Sequence, residues 1–180
     1  LVEPQTGVAL DSNHLPLRGV AVRDLLAERL GLPVVVDNDA NAAMLVEWRC
    51  GEARGADDAI MLTLGTGIGG GLIVGGRLVH GARGAAAELG HIMVDADGPP
   101  CPGSCPNHGC LEALVSGHAI GVEGLARARS APDSALGRAL DAGRDITGTL
   151  VTELAHDGDP VAREVMTLMG ERLGLGVVTL

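Results

Sequence analysis

The pattern of apolar and polar positions splits the chain into an early strand-rich part and a late helical part. Val22, Leu25, Leu26 and Leu30 recur at helical spacing and predict a helix over 22–30. Gly31 closes it and Pro33 forbids continuation. Val34-Val35-Val36 is a wholly apolar run of β-branched residues, the signature of a strand buried on both faces. The polar segment Asp37-Asn38-Asp39-Ala40-Asn41 leads from it into a helix predicted over 42–48. Open α/β sheets bind ligands at such strand-to-helix junctions. Residues 51–58, with Gly51 and Gly55, read as a hinge or boundary. A second buried strand is predicted over 60–64. Leu72-Ile73-Val74 and Arg77-Leu78-Val79 flank Gly75-Gly76, a hairpin signal. Residues 85–88 predict a short helical turn, 92–94 a strand and 95–107 an irregular loop. Helices are predicted over 111–115, 118–129, 134–141, 149–156 and from 161 to the end, with Pro160 well placed at the start of the last. Residues 1–20, with Pro4 and Pro16, read as extended or loop. Strands early and helices late predict an α/β fold.

Composition narrows this reading. Hydrophobic residues make up 46% of the 180, but aromatics only 1%, so the core must be aliphatic. The chain begins at Leu1 and stops at Leu180 inside a helical pattern, so a fragment is expected. Net charge is -10 and all 13 basic residues are arginine. The absence of lysine excludes a Walker-type phosphate loop and Schiff-base chemistry. No basic stripe is present, so no nucleic-acid partner is expected for this segment. No apolar run reaches the length of a membrane span, so a cytoplasmic protein without a membrane partner is expected.

Four groups of residues carry candidate chemistry. Gly65-Thr66-Gly67-Ile68-Gly69-Gly70 matches the dinucleotide fingerprint, but a hairpin follows where that fingerprint needs a helix. A strand-turn-strand glycine loop can still bring backbone N–H groups against phosphate, with Thr66 adding a hydroxyl; the alternative is a β-turn without a ligand. Asp39 suits a general base and Asn38 a hydroxyl clamp, while both residue types also favour helix N-caps. Glu88 and His91 lie three apart, near each other if the turn is helical. Cys101, Cys105 and Cys110 lie in one loop with metal-binding spacing, and a histidine would complete a closed tetrahedral zinc site. His91 is the distant candidate for that ligand and His108 the local one.

Taken in order, these residues resemble the ROK family of repressors, open reading frames and kinases, and within it the bacterial glucokinases. The resemblance rests on Val36 to Ala43, Leu64 to Gly71, Gly84 to His91 and Gly109-Cys110-Leu111-Glu112. It implies the actin-like, ribonuclease-H-like ATPase fold, with residues 1–55 in an N-terminal lobe and 56–180 forming most of a C-terminal lobe. It implies an ATP-dependent sugar kinase that uses Mg²⁺ and phosphorylates the 6-hydroxyl of glucose. Asp39 would be the catalytic base, with Asn38, Asp39, Glu88, His91 and Glu112 binding the sugar. Gly65, Thr66, Gly67, Gly69 and Gly70 would serve ATP. His91, Cys101, Cys105 and Cys110 would hold a structural Zn²⁺, although Gly103 stands where the family pattern has its first cysteine. A first phosphate motif would precede residue 1 and the adenosine-binding glycines would follow residue 180. A homodimer or homotetramer would suit the family. Kinases for N-acetylmannosamine, fructose or allose share these motifs. A sugar-sensing regulator of the same family could keep Glu88, His91, Glu112 and the zinc without needing Asp39 or the glycine loop.

Overall fold

The computed structural model describes residues 2–10 and 17–180. Pro16 of the predicted N-terminal loop lies outside the described residues. The chain forms two compact units: residues 1–63 with 69–89, and residues 64–68 with 90–180.

In the first unit, β1 (Val8–Ala9) pairs antiparallel with β2 (Val20–Ala21). The helix α1 (Val22–Leu30) has the predicted bounds and ends on Gly31 in the left-handed region at φ 63°. Its predicted apolar stripe remains exposed at Leu25, Leu26 and Leu30 among the described residues. The predicted strand at Val34–Val36 is a correction. The segment is not paired in a sheet, and Val35 is 92% exposed. A β-branched run favours extended backbone, but only a partner strand makes it a ladder. The helix α2 (Asp39–Cys50) begins three residues earlier than predicted, because Asn38 caps it: the Asn38 side chain accepts from the N–H groups of Ala40 and Asn41.

A three-stranded sheet follows, in the order β3 (Ala59–Leu64), β4 (Ile68–Val74), β5 (Arg77–Leu78). The predicted hairpin is present, with Gly75 and Gly76 both at positive φ. The helix α2 lies close against β4. A Cβ at Gly69 would come within 2.9 Å of the Ala40 side chain, and one at Gly71 would clash with Met44. Met44 and Ile73 are each 1% exposed, which marks this contact as the centre of the first core.

The predicted turn at 85–88 is a 3₁₀ turn displaced to Leu89–His91. The predicted strand at 92–94 reduces to one bridge, Met93 to Cys110. Five helices build the second unit: α3 (Leu111–Val115), α4 (Gly117–Ser130), α5 (Ala135–Asp141), α6 (Gly148–His156) and α7 (Pro160–Thr179). Ser116, Ser134, Thr147 and Asp159 cap four of them through their side chains, each cap being worth about 1 kcal/mol. Asp159 also accepts from Ala135 N–H at 2.7 Å and so ties α5 to α7. Leu111, Leu136, Val151 and Val165 are fully buried, each contributing roughly 1.5–3 kcal/mol. Gly124 lets α4 reach Val151 of α6, where a side chain would collide.

Candidate functional site

Three polar assemblies stand on this scaffold. The first surrounds the start of α2. Asn38 Oδ1 accepts from Ala40 N–H at 2.8 Å and Asn41 N–H at 3.2 Å. The Asn38 oxygen thus caps the helix, and its amide nitrogen is a donor of the kind that can hold a hydroxyl. Asp39 is exposed in the first turn, with Oδ1 2.9 Å from Ala40 N–H. The helix macrodipole favours a carboxylate at this end.

Asp37 anchors the segment from behind. It accepts from Asn38 N–H at 2.8 Å, from Asn41 Nδ2 at 3.0 Å and lies 2.6 Å from His80 Nε2. Burial pushes the Asp37 carboxyl upward. The hydrogen bonds from His80, Asn41 and Asn38, with the charge of His80, outweigh that and hold it below the usual carboxylate range. Sequence reasoning missed His80, which stands 43 residues from Asp37 and forms no local motif with it.

The second assembly is the glycine turn. The loop expected over 65–70 is a turn of only three residues, since β4 begins at Ile68. Gly65 N–H donates to Gly67 O at 3.0 Å. Gly65 and Thr66 are exposed. Gly69 and Gly70 are not in the turn. Gly69 N–H is occupied by Thr63 Oγ1 at 3.2 Å, and a Cβ on Gly70 would stand 2.6 Å from both Ala87 O and the Leu89 side chain. These two glycines serve close packing within the sheet unit.

The turn borders a mostly apolar groove of about 1000 Å³ in the second unit. Thr66, His118, Thr147, Gly148, His156 and Met169 are among its lining residues. Such a groove can take a flat heteroaromatic ring, with the turn supplying N–H donors at one end. Apart from the turn, most groove residues come from α4, α6 and α7, and no motif in the sequence joins them.

The third assembly is a metal-type cluster. The donor atoms of His91, Cys101, Cys105 and Cys110 all lie within 4.8 Å of one another. Cys101 Sγ is 3.3 Å from His91 Nδ1, and Cys105 Sγ is 4.0 Å from Cys110 Sγ. Donors around a tetrahedral zinc stand roughly 3.5 to 3.8 Å apart, so the set fits that ion. His91 joins the three cysteines; His108 is instead exposed, in a bridge with Pro100. Burial raises the Cys101 and Cys110 thiols above their usual range, and the neighbouring cysteines push Cys101 further up. A cation would invert that preference and discharge the protons.

Of the other predicted sugar residues, Asn38, Asp39 and Glu88 belong to the first unit, and His91 and Glu112 to the second. Glu112 has a partner that sequence did not reveal: its Oε2 accepts from Ile68 N–H at 2.7 Å.

A model of the ROK family matches residues 1–180. The chain belongs to the ROK family. It is 36% identical to a glucokinase of Streptomyces coelicolor, across 99% of this chain and 57% of that protein. It is 31% identical to a xylose repressor of Caldicellulosiruptor bescii, across 100% of this chain and 44% of the repressor. The crystal structure of a ROK family glucokinase from Streptomyces griseus, in complex with glucose and AMPPNP, superposes with a TM-score of 0.83 at 39% identity. That superposition covers 98% of this chain and 57% of the glucokinase. This ROK chain therefore spans a little over half the length of the glucokinases it matches. Its fold is part of the actin-like, ribonuclease-H-like ATPase fold, as expected from sequence. No helix among the described residues is long and apolar enough to cross a membrane.

Proposed function

We propose that the full-length protein is an ATP-dependent hexose kinase of glucokinase type. The observation that carries this is the joint presence of an exposed carboxylate at the start of α2 and an open glycine turn beside a ligand-sized groove. A sugar sensor needs neither. The likeness to a glucokinase structure holding glucose and AMPPNP supports the same reading.

In this reading Asp39 accepts the proton of the glucose 6-hydroxyl as the γ-phosphoryl group passes to that oxygen. Asn38 caps the helix on whose first turn the Asp39 carboxylate stands. Asn38, Glu88, His91 and Glu112 would hold the remaining hydroxyls. Gly65, Thr66 and Gly67 would meet the phosphates and the groove would take the adenosine. Mg²⁺, when bound, would neutralise charge on the phosphates. A zinc ion, when bound, would supply structural cross-linking of the loop. His91 would ligate it through Nδ1, which faces Cys101, and leave Nε2 for a hydroxyl. The full-length protein would act in the cytoplasm as a homodimer or homotetramer.

The test is a panel of hexoses with Mg-ATP on the full-length protein, following ADP release and sugar phosphate. Glucose should give the highest kcat/KM. Phosphorylation of N-acetylmannosamine, fructose or allose instead would change the substrate but keep the kinase. The likeness to a xylose repressor supports a second reading, a sugar-sensing regulator. Sugar binding with no ADP release for any hexose would favour it.

A further inference from the structure

The glycine turn is held from beneath by two elements of its own unit. The first two amides of α4 face it: Gly117 N–H donates to Gly65 O at 2.8 Å and His118 N–H to Thr66 O at 3.4 Å. Glu112 of α3 holds the other side, with Oε2 2.7 Å from Ile68 N–H. Gly67 is shaped around this carboxylate. A Cβ there would stand 2.5 Å from Oε2 and 3.2 Å from Cδ of Glu112. The carboxylate sits on a rigid base, because Leu111 is fully buried and its N–H donates to Ile92 O at 2.9 Å.

A negative charge under a turn that receives phosphate is unfavourable by Coulomb's law. It is tolerable only if the hydrogen bond it makes is worth more than the repulsion. We propose that Glu112 is a positioning residue for the phosphate turn, holding Gly65 to Ile68 in shape through Oε2, separately from any contact it makes with sugar. This rests on the kinase reading only in taking the turn as the phosphate site. The clamp itself is a property of the backbone and needs no ligand. Charge is not required for it. A glutamine keeps an acceptor oxygen at the same reach, whereas an alanine removes it.

Two readouts on the full-length protein test this: hydrogen exchange of peptides covering residues 62–73, and Mg-AMPPNP affinity measured without sugar. Glu112→Ala should speed exchange of the Ile68 amide about tenfold or more and weaken AMPPNP by a similar factor, as expected for losing a charged hydrogen bond. Glu112→Gln should restore slow exchange and bind AMPPNP at least as well as wild type. Gly67→Ala should loosen the turn, and in a Glu112→Ala background it should add nothing, because the obstructing oxygen is gone. A residue that only binds sugar would leave both readouts unchanged in Glu112→Ala, and that result overturns the proposal. So does a Glu112→Gln variant as loose as Glu112→Ala. Peptides from α6 and α7 report whether each variant is folded, and if Glu112→Ala is not, the Glu112→Gln and Gly67→Ala arms decide. If wild type binds no nucleotide, the kinase reading fails, and exchange alone upholds or overturns the clamp. If wild type phosphorylates sugar while exchange is indifferent to Glu112→Ala, the clamp fails and the kinase stands.

Discussion

The segment Asp37–Asn41 and the loop Cys101–Cys110 are each a short polar stretch joined by one distant histidine, yet opposite means hold them. In the first, every interaction is a hydrogen bond made as the chain folds: Asn38 caps α2, and Asp37 collects Asn38 N–H, Asn41 and His80. In the second, three thiols and an imidazole crowd together, with donor atoms all within 4.8 Å of one another. Deprotonated, they would repel, and burial already opposes their ionisation. The first arrangement is held by its own hydrogen bonds. The second gathers donors that a cation would stabilise.

Metal removal should therefore have the largest effect. The apparent binding energy of a structural zinc reaches about 10 kcal/mol or more at neutral pH, and part of it is folding energy. The full-length protein should purify with one zinc per chain. Chelation, or Cys110→Ser, should lower the thermal midpoint by about 10 °C or more. A clearly substoichiometric zinc content after chelator-free purification, with an unchanged midpoint on chelation, would erase the contrast.

Next in size is Asp39→Asn, which tests whether the other segment is reactive. Loss of a general base should cut turnover about 10² to 10⁴-fold. Glucose affinity should change little, since the amide keeps the shape. The loss of charge at the helix start should cost only about 0.3–1 kcal/mol of stability. Near-normal turnover in this variant would sink the catalytic assignment while leaving the fold untouched.

The same contrast explains what could be read in the sequence. The grouping of the cysteines was legible because their spacing is local, and three dimensions bring His91, not His108, to them. The bounds of α1 were legible from Gly31 and Pro33. The start of α2 was misplaced by three residues because the polar run Asp37–Asn41 reads as a junction, whereas Asn38 caps the helix and Asp39 already lies in its first turn. Val34–Val36 failed as a strand because extended propensity does not supply a partner. Gly69 and Gly70 were read as loop because glycine identity alone cannot separate a ligand's approach from a side chain's. Here Ala40, Ala87 and Leu89 make that approach. His80 and the Oε2 contact of Glu112 were invisible, since each spans more than 40 residues and follows no period.

The smallest effect is a pH dependence confined to the Asp37 segment. The Asp37 carboxyl is held below its ordinary value of 3.8 in the folded protein. A depressed carboxylate contributes stability that is fully present above the unfolded value and is lost as pH falls through the folded one. The Asp37→Asn variant has no such group. Its deficit against wild type in urea unfolding should therefore be fully present at about pH 5 and shrink steadily below about pH 4. The deficit should be about 1 kcal/mol, because the pair with His80 is partly exposed and solvent screens it. A deficit that instead grew on acidification would mean that the charge of Asp37 is a burden, offset only by the helix start it anchors. The first segment would then share with the cysteine loop the need for an outside partner.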